Sequence, residues 1–215
     1  MNRLELKKQL TLHGLYDPRW EHDNCGVGFI VHLKGKKSHE IIEQAITALN
    51  NLGHRGACGC EVNTGDGAGI LMQVPHDFLV MACQPLKIKL PKLGEYGVGT
   101  LFLSKDPVQR RQTEKILEQV VREQGQSFLG WREVPFDDSM IGQTAREAMP
   151  TIKQFFIGVG PKGVGLPNPY QEDAQTLLER RLFIIRKLFE NTMRNSGLGD
   201  AGQTYIPSLS CRILI

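Results

Sequence analysis

The chain has 215 residues, of which 40% are hydrophobic and 23% charged, with a formal net charge of +3 and five cysteines. Those proportions suit an ordinary soluble fold with one sizeable core or two small ones, and the small net charge argues against a nucleic-acid or anionic-membrane partner. No apolar segment approaches the roughly 18 residues that span a bilayer, and an odd number of cysteines does not make a complete disulfide framework, so a reducing, cytoplasmic setting is expected.

Residues 1–24 hold a short helix pattern (Leu4, Leu6, Leu10) and a turn-like segment, Tyr16-Asp17-Pro18-Arg19-Trp20. Acids at Glu5, Asp17, Glu21 and Asp23, and the lack of a continuous apolar run, exclude a transit or secretory signal. The segment reads as an ordered arm or a removable leader. Residues 25–33 read as a buried strand ended by the polar turn Lys34-Gly35-Lys36-Lys37. Ser38 then suits an N-cap, and Ile42, Ala45, Ile46, Leu49 and Leu52 recur at helical spacing until Gly53. That helix delivers the chain into a glycine-rich loop, His54-Arg55-Gly56-Ala57-Cys58-Gly59-Cys60, and a second, Thr64-Gly65-Asp66-Gly67-Ala68-Gly69, leads to a strand over 70–74.

Further on, residues 97–103 read as a strand. Asp106 as N-cap, Pro107 at the first helical position and Gln109 open a helix that buries Ile116, Leu117, Val120 and Val121 and stops near Gly125. Strands are expected over 128–134 and 153–159, with a polar stretch between, and a proline- and glycine-rich loop over 160–169. Residues 179–195 fit a helix through Leu178, Leu182, Ile185 and Phe189, while 182–185 alone fit a buried strand. Residues 204–215 read as a strand still apolar at Ile213-Leu214-Ile215, the pattern of a piece of something longer.

Several side chains invite chemistry. Cys25, with glycines at 26 and 28, sits at the mouth of an apolar run, where a thiol would be rigidly held yet reachable. Were the leader cut before it, the freed α-amine, of pKa about 8, would be matched to a thiol of about 8.5. The same pattern also suits a buried apolar cysteine. Arg55, between glycines at a helix end, offers a fork for a carboxylate, or is a surface arginine. The loop 64–69 could admit a ligand to its backbone N–H groups, or simply pack closely; it lacks the Gly-Lys-Ser/Thr ending of a phosphate loop. Gly158-Val159-Gly160-Pro161-Lys162-Gly163 matches a dinucleotide fingerprint in letters, but prolines rather than a helix follow it, so it is rejected. His54, Cys58 and Cys60 lack a fourth ligand at zinc spacing, and His39-Glu40 lacks the second histidine of a zinc-protease helix, so no metal is expected.

Taken together, Cys25-Gly26-Val27-Gly28-Phe29, residues 52–61 and Asn63-Thr64-Gly65-Asp66-Gly67-Ala68-Gly69-Ile70 resemble the start of the glutamate synthase large-subunit family in order and spacing. Residues 96–103, 183–189 and Ser208-Leu209-Ser210-Cys211-Arg212 look like later parts of the same domain. The resemblance implies an α+β N-terminal nucleophile hydrolase fold, a four-layer αββα sandwich, here C-terminally incomplete. It implies a propeptide over 1–24 and a class II glutamine amidotransferase domain over 25–215, in which the Cys25 thiolate attacks the amide of L-glutamine. Arg55 matches the family arginine near the glutamine site, and Asp66 and Gly67 match a loop bordering it. It also favours the strand reading of 182–185, with a helix after it.

The family's Ser-Arg-Phe-Ser segment and its oxyanion-forming Asn-Gly pair do not occur in these 215 residues. Losing one oxyanion donor costs about 100- to 1,000-fold in rate, so the chain alone is expected to be nearly inactive. No cofactor is expected in this segment. FMN and a 3Fe-4S cluster are implied for the full enzyme, with ferredoxin or a nicotinamide-dependent small subunit as electron donor and the remaining synthase domains as partners. The other reading is a non-catalytic fragment or binding module that keeps the amidotransferase fold.

Overall fold

A computed structural model describes residues 3–14, 26–53, 61, 63–65, 67–198 and 204–215. Cys25, Arg55 and Asp66 lie outside the described residues, as do His54, Cys58, Cys60 and the expected turn at 16–20. The chain divides into two compact units, Met1–Gly59 and Cys60–Ile215.

The first unit holds α1 (Arg3–His13) and α2 (His39–Asn51). α2 begins where expected, but Ser38 caps it by position only: its backbone is extended and its side chain makes no capping bond. Leu52 closes the helix, donating its N–H to the carbonyls of Ala48 and Leu49. Residues 26–32 correct the expectation of a buried strand. Among the described residues they have no ladder partner, and the alternate side chains Val27, Phe29, Val31 and Leu33 are 92%, 90%, 67% and 98% exposed. An extended segment becomes a strand only beside another, and the described part of this unit contains none. The chain then turns at Gly35, whose positive φ a residue with a Cβ seldom adopts.

The second unit is built on a four-stranded antiparallel sheet of order β3-β4-β2-β5, where β2 is Tyr96–Leu103, β3 Ser127–Glu133, β4 Thr151–Gly158 and β5 Tyr205–Ser210. Side chains alternate across β2. Leu101 and Leu103 join one core with α4 (Pro107–Glu123) and α6 (Ala174–Arg194), while Tyr96 and Val98 join a second core on the opposite face. That second core holds Leu79 and Cys83 of α3 (His76–Cys83) and Leu214 of β6 (Ile213–Leu214), which pairs antiparallel with β1 (Met72–Gln73). A helical pair, a sheet, and a ribbon with α3 thus stack in order, in keeping with the expected α+β class.

Two glycines of β2 make this stacking possible. A Cβ on Gly99 would run into the Phe155 ring, and one on Gly97 into Leu182. Pro207 sits where β5 slips register against β2, between Thr100↔Ser208 and Phe102↔Tyr205. Such a bulge on an edge strand is where a proline, without an N–H to give, is accommodated.

α4 opens as its sequence dictates: Asp106 Oδ1 accepts from the Val108 N–H at 2.8 Å, and Gln109 Nε2 reaches Asp106 Oδ2. Residues 182–185 are not a strand. They lie within the single 21-residue helix α6, capped by Asp173, whose Oδ1 accepts from the Thr176 N–H at 2.9 Å. Leu178, Leu182, Ile185, Phe189 and Met193 form its buried stripe. Burying each such side chain contributes roughly 1.5–3 kcal/mol, which outweighs the β-leaning run Leu182-Phe183-Ile184-Ile185. The final apolar stretch is likewise not one strand but two, β5 and β6, separated by a corner at Cys211 and Arg212. α3 and α5 (Gln143–Ala148) were not apparent from the sequence.

Candidate active site

Cys25 directly precedes the described segment, and Gly26 is the first residue placed. A Cβ on Gly26 would lie 2.9 Å from Leu52 Cδ2 and 3.1 Å from Cδ1, so the leucine at the end of α2 rests on the residue after the cysteine. The chain entering the first glycine-rich loop therefore starts beside the chain leaving Cys25. An open groove of about 570 Å³ runs between this segment and α2, lined by Phe29, Ile30, Val31, Gln44, Thr47 and Ala48.

In the second unit, the loop carrying Gly67 is anchored at its start. Glu61 is half-buried and its carboxylate accepts from Thr64 Oγ1 at 2.8 Å and from the Thr144 N–H at 3.1 Å. The Thr64 hydroxyl first, and Thr144 after it, hold the Glu61 carboxyl below its usual range. Gly67 itself is exposed, and no described residue stands within 4 Å of where its side chain would be, an arrangement that suits close approach of a ligand to the backbone.

The cysteines with described surroundings are poor nucleophiles. Cys83 lies in one apolar core and Cys211 in the other, both fully buried. Burial pushes the Cys83 thiol up. Burial, with the Glu179 hydrogen bond and charge acting the same way, pushes Cys211 up to about 12. A reactive cysteine needs the opposite setting, in which the thiolate is favoured.

The glycines at 158–163 form no nucleotide loop. Gly160 and Gly163 pair across a tight turn, and the carbonyls of Val164 and Gly165 accept from Arg181 Nε and Nη2 at 3.0 and 2.6 Å. The turn is thus tied down by α6, and no helix begins until Ala174. Among the described residues no group of three or more His, Cys, Asp or Glu side chains could hold a metal ion.

Of the residues singled out from the sequence, the structure places Gly67; the sites of Cys25, Arg55 and Asp66 are approached only through their neighbours. Sequence reading passed over Glu61 and Glu179. Glu61 meets Thr144 across 83 positions of chain, and Glu179 meets Cys211 across 32. No local pattern signals either.

The model of the class-II glutamine amidotransferase family matches residues 25–215. The glutamate synthase (NADPH) large chain of Bacillus subtilis is 39% identical over 202 residues, covering 94% of this chain and 12% of its own length. The glutamate synthase (NADH) of Schizosaccharomyces pombe is 39% identical over 176 residues, 80% of this chain and 8% of its own. The ferredoxin-dependent glutamate synthase 1 of Arabidopsis thaliana is 35% identical over 196 residues, 91% of this chain and 11% of its own. The chain thus spans about an eighth or less of the length of these relatives.

Proposed function

We propose that this chain, which belongs to the class-II glutamine amidotransferase family, supplies the nucleophile of a glutaminase site at the start of a glutamate synthase large subunit. The observation that carries this reading is where the family match begins: residue 25, the cysteine. Residues 1–24 are then a propeptide whose removal makes Cys25 the first residue, and 25–215 are amidotransferase domain.

The chemistry follows from that position. The freed α-amine takes the thiol proton, and the thiolate attacks the side-chain carbonyl carbon of L-glutamine. The C–N bond breaks, the nitrogen leaves with a proton as ammonia, and a thioester remains on Cys25. Water hydrolyses it to glutamate and restores the thiol. The Arg55 guanidinium pairs with a carboxylate of the glutamine, the bidentate fork being suited to that shape. Asp66 and Gly67 border the same substrate, and the open backbone at Gly67 supports this. Lacking the Asn-Gly pair, the 215 residues alone hydrolyse glutamine about 100- to 1,000-fold more slowly than the intact polypeptide.

In the intact enzyme the ammonia passes to 2-oxoglutarate and is reduced to glutamate, with electrons from ferredoxin or a nicotinamide-dependent small subunit. FMN and a 3Fe-4S cluster belong to that later chemistry. The described cysteines do not make a cluster site, since Cys83 and Cys211 are buried singly in separate cores, and no step here runs through either group. The reaction belongs to the cytoplasm in this reading, a reducing setting that an odd number of cysteines suits. Among the described residues no helix is long and apolar enough to cross a membrane.

The test is ammonia release from L-glutamine by the intact polypeptide and its Cys25→Ala variant. Release that disappears in the variant supports the reading. Release that persists in the variant removes Cys25 as the nucleophile, and none from the unaltered protein favours a binding module that keeps the fold without turnover.

A further inference from the structure

One carboxylate outside the proposed chemistry is built into its surroundings from two sides. Glu61 accepts from Thr64 Oγ1 at 2.8 Å and from the Thr144 N–H at 3.1 Å, at the first turn of α5. The Gly142 N–H donates to the Asn63 carbonyl at 3.3 Å, a second tie between the same two segments. Gly142 has an ordinary φ of −66°, so its backbone does not require glycine. The space does, because a Cβ there would collide with Glu61 Oε2 and Thr64 Oγ1.

The other end of α5 is held as firmly. Lys105 Nζ donates to the carbonyls of Arg146 and Glu147 at 2.6 and 2.9 Å. An acid at the N-terminus and a base at the C-terminus both match the helix dipole. Lys105 follows the last residue of β2 by two positions, so α5 links the central strand of the sheet to the loop that starts at Glu61.

We propose that Glu61 is a positioning residue for glutamine binding. By joining Thr64 to α5 it fixes the entry of the loop that presents Asp66 and Gly67 to the substrate. The inference rests on the glutaminase reading above for its substrate, and on the Glu61–Thr64–Thr144 geometry for its mechanism. Glu61 touches no reacting atom. Its loss therefore weakens binding in ground and transition state alike, raising KM and sparing kcat.

The experiment compares Glu61→Ala, Glu61→Gln and Gly142→Ala with the unaltered intact polypeptide, by glutaminase kinetics and by hydrogen exchange of the amides over 63–69. Glu61→Ala should raise the KM for glutamine about tenfold or more, with kcat changed less than about threefold, and speed loop exchange. Gly142→Ala, which displaces the carboxylate from the α5 side, should do the same without altering residue 61. Glu61→Gln should restore KM to within about threefold, because its amide can still accept from Thr144 and donate to the Thr64 oxygen. A merely structural glutamate would lower the melting temperature and leave KM alone. Unchanged KM in both Glu61→Ala and Gly142→Ala overturns the proposal, whether or not the loop exchanges faster. An unaltered protein without glutaminase activity would instead sink the glutaminase reading, and this substrate role with it, while loop exchange would still show whether Glu61 anchors the loop.

Discussion

Glu179 on α6 accepts two hydrogen bonds on a single oxygen, one from the Cys211 N–H at 2.7 Å and one from Ser210 Oγ at 2.6 Å. The corner between β5 and β6 hangs on that carboxylate. Ser210 Oγ in turn accepts from the N–H groups of Arg212 and Ile213, closing the turn. Glu179→Ala should destabilise the fold by about 1–3 kcal/mol, because it leaves the buried Cys211 N–H and Ser210 hydroxyl without this acceptor. Glu179→Gln keeps an acceptor and should cost less. Urea midpoints of the two variants check the order, and equal midpoints would remove Glu179 from this role.

The same burial sets the reactivity of the thiols. Cys211, pushed up to about 12, and Cys83, raised by burial, are both protonated near pH 8. Iodoacetamide at that pH should leave both unmodified in the folded protein and modify both in denaturant, as counted by mass. Rapid labelling of either in the folded state would contradict the packing described for it.

Gly99 leaves room for the far end of the Phe155 ring, which occupies the space a Cβ would need. Gly99→Ala should therefore cost about 1–3 kcal/mol through forced repacking, although alanine suits a strand better than glycine does. A denaturant midpoint at or above that of the unaltered protein would show that the core yields to the methyl group.

Asp173 caps α6, and the Thr176 hydroxyl first, then its backbone N–H, hold the Asp173 carboxyl below its usual range. A folded-state pKa depressed in this way contributes stability that is present above the unfolded value of about 3.9 and is lost as pH falls through the folded value. The difference in melting temperature between the unaltered protein and Asp173→Ala should be full at pH 7 and shrink as pH drops below about 4. A difference independent of pH would mean that the charge of the cap contributes nothing.

These elements also show what was legible in the sequence. The start of α4 was, because Asp106, Pro107 and Gln109 settle it within four residues. The antiparallel strands β2, β3 and β4 announced themselves through short apolar runs. The run Leu182-Phe183-Ile184-Ile185 misled, since four apolar residues in a row suit a buried strand. Phe183 is in fact 59% exposed, and the deciding features were the cap at Asp173 and the stripe reaching Met193. α5 could not be read locally: Glu61 and Lys105, which hold its ends, lie far off in the chain. Of the site, the motif around Cys25 and the two glycine-rich loops was readable through family resemblance. The Leu52 contact on Gly26 and the Glu61 anchor were not, because both depend on how the chain returns upon itself.

Cys25 is the residue on which glutaminase activity turns. Treatment of the active intact polypeptide with an electrophilic glutamine analogue, followed by peptide mapping, tests it most directly. One adduct is expected, on a peptide that begins with Cys25 as its own N-terminus, with glutamine protecting against labelling. An adduct elsewhere, or active enzyme in which residues 1–24 remain attached to Cys25, would contradict it.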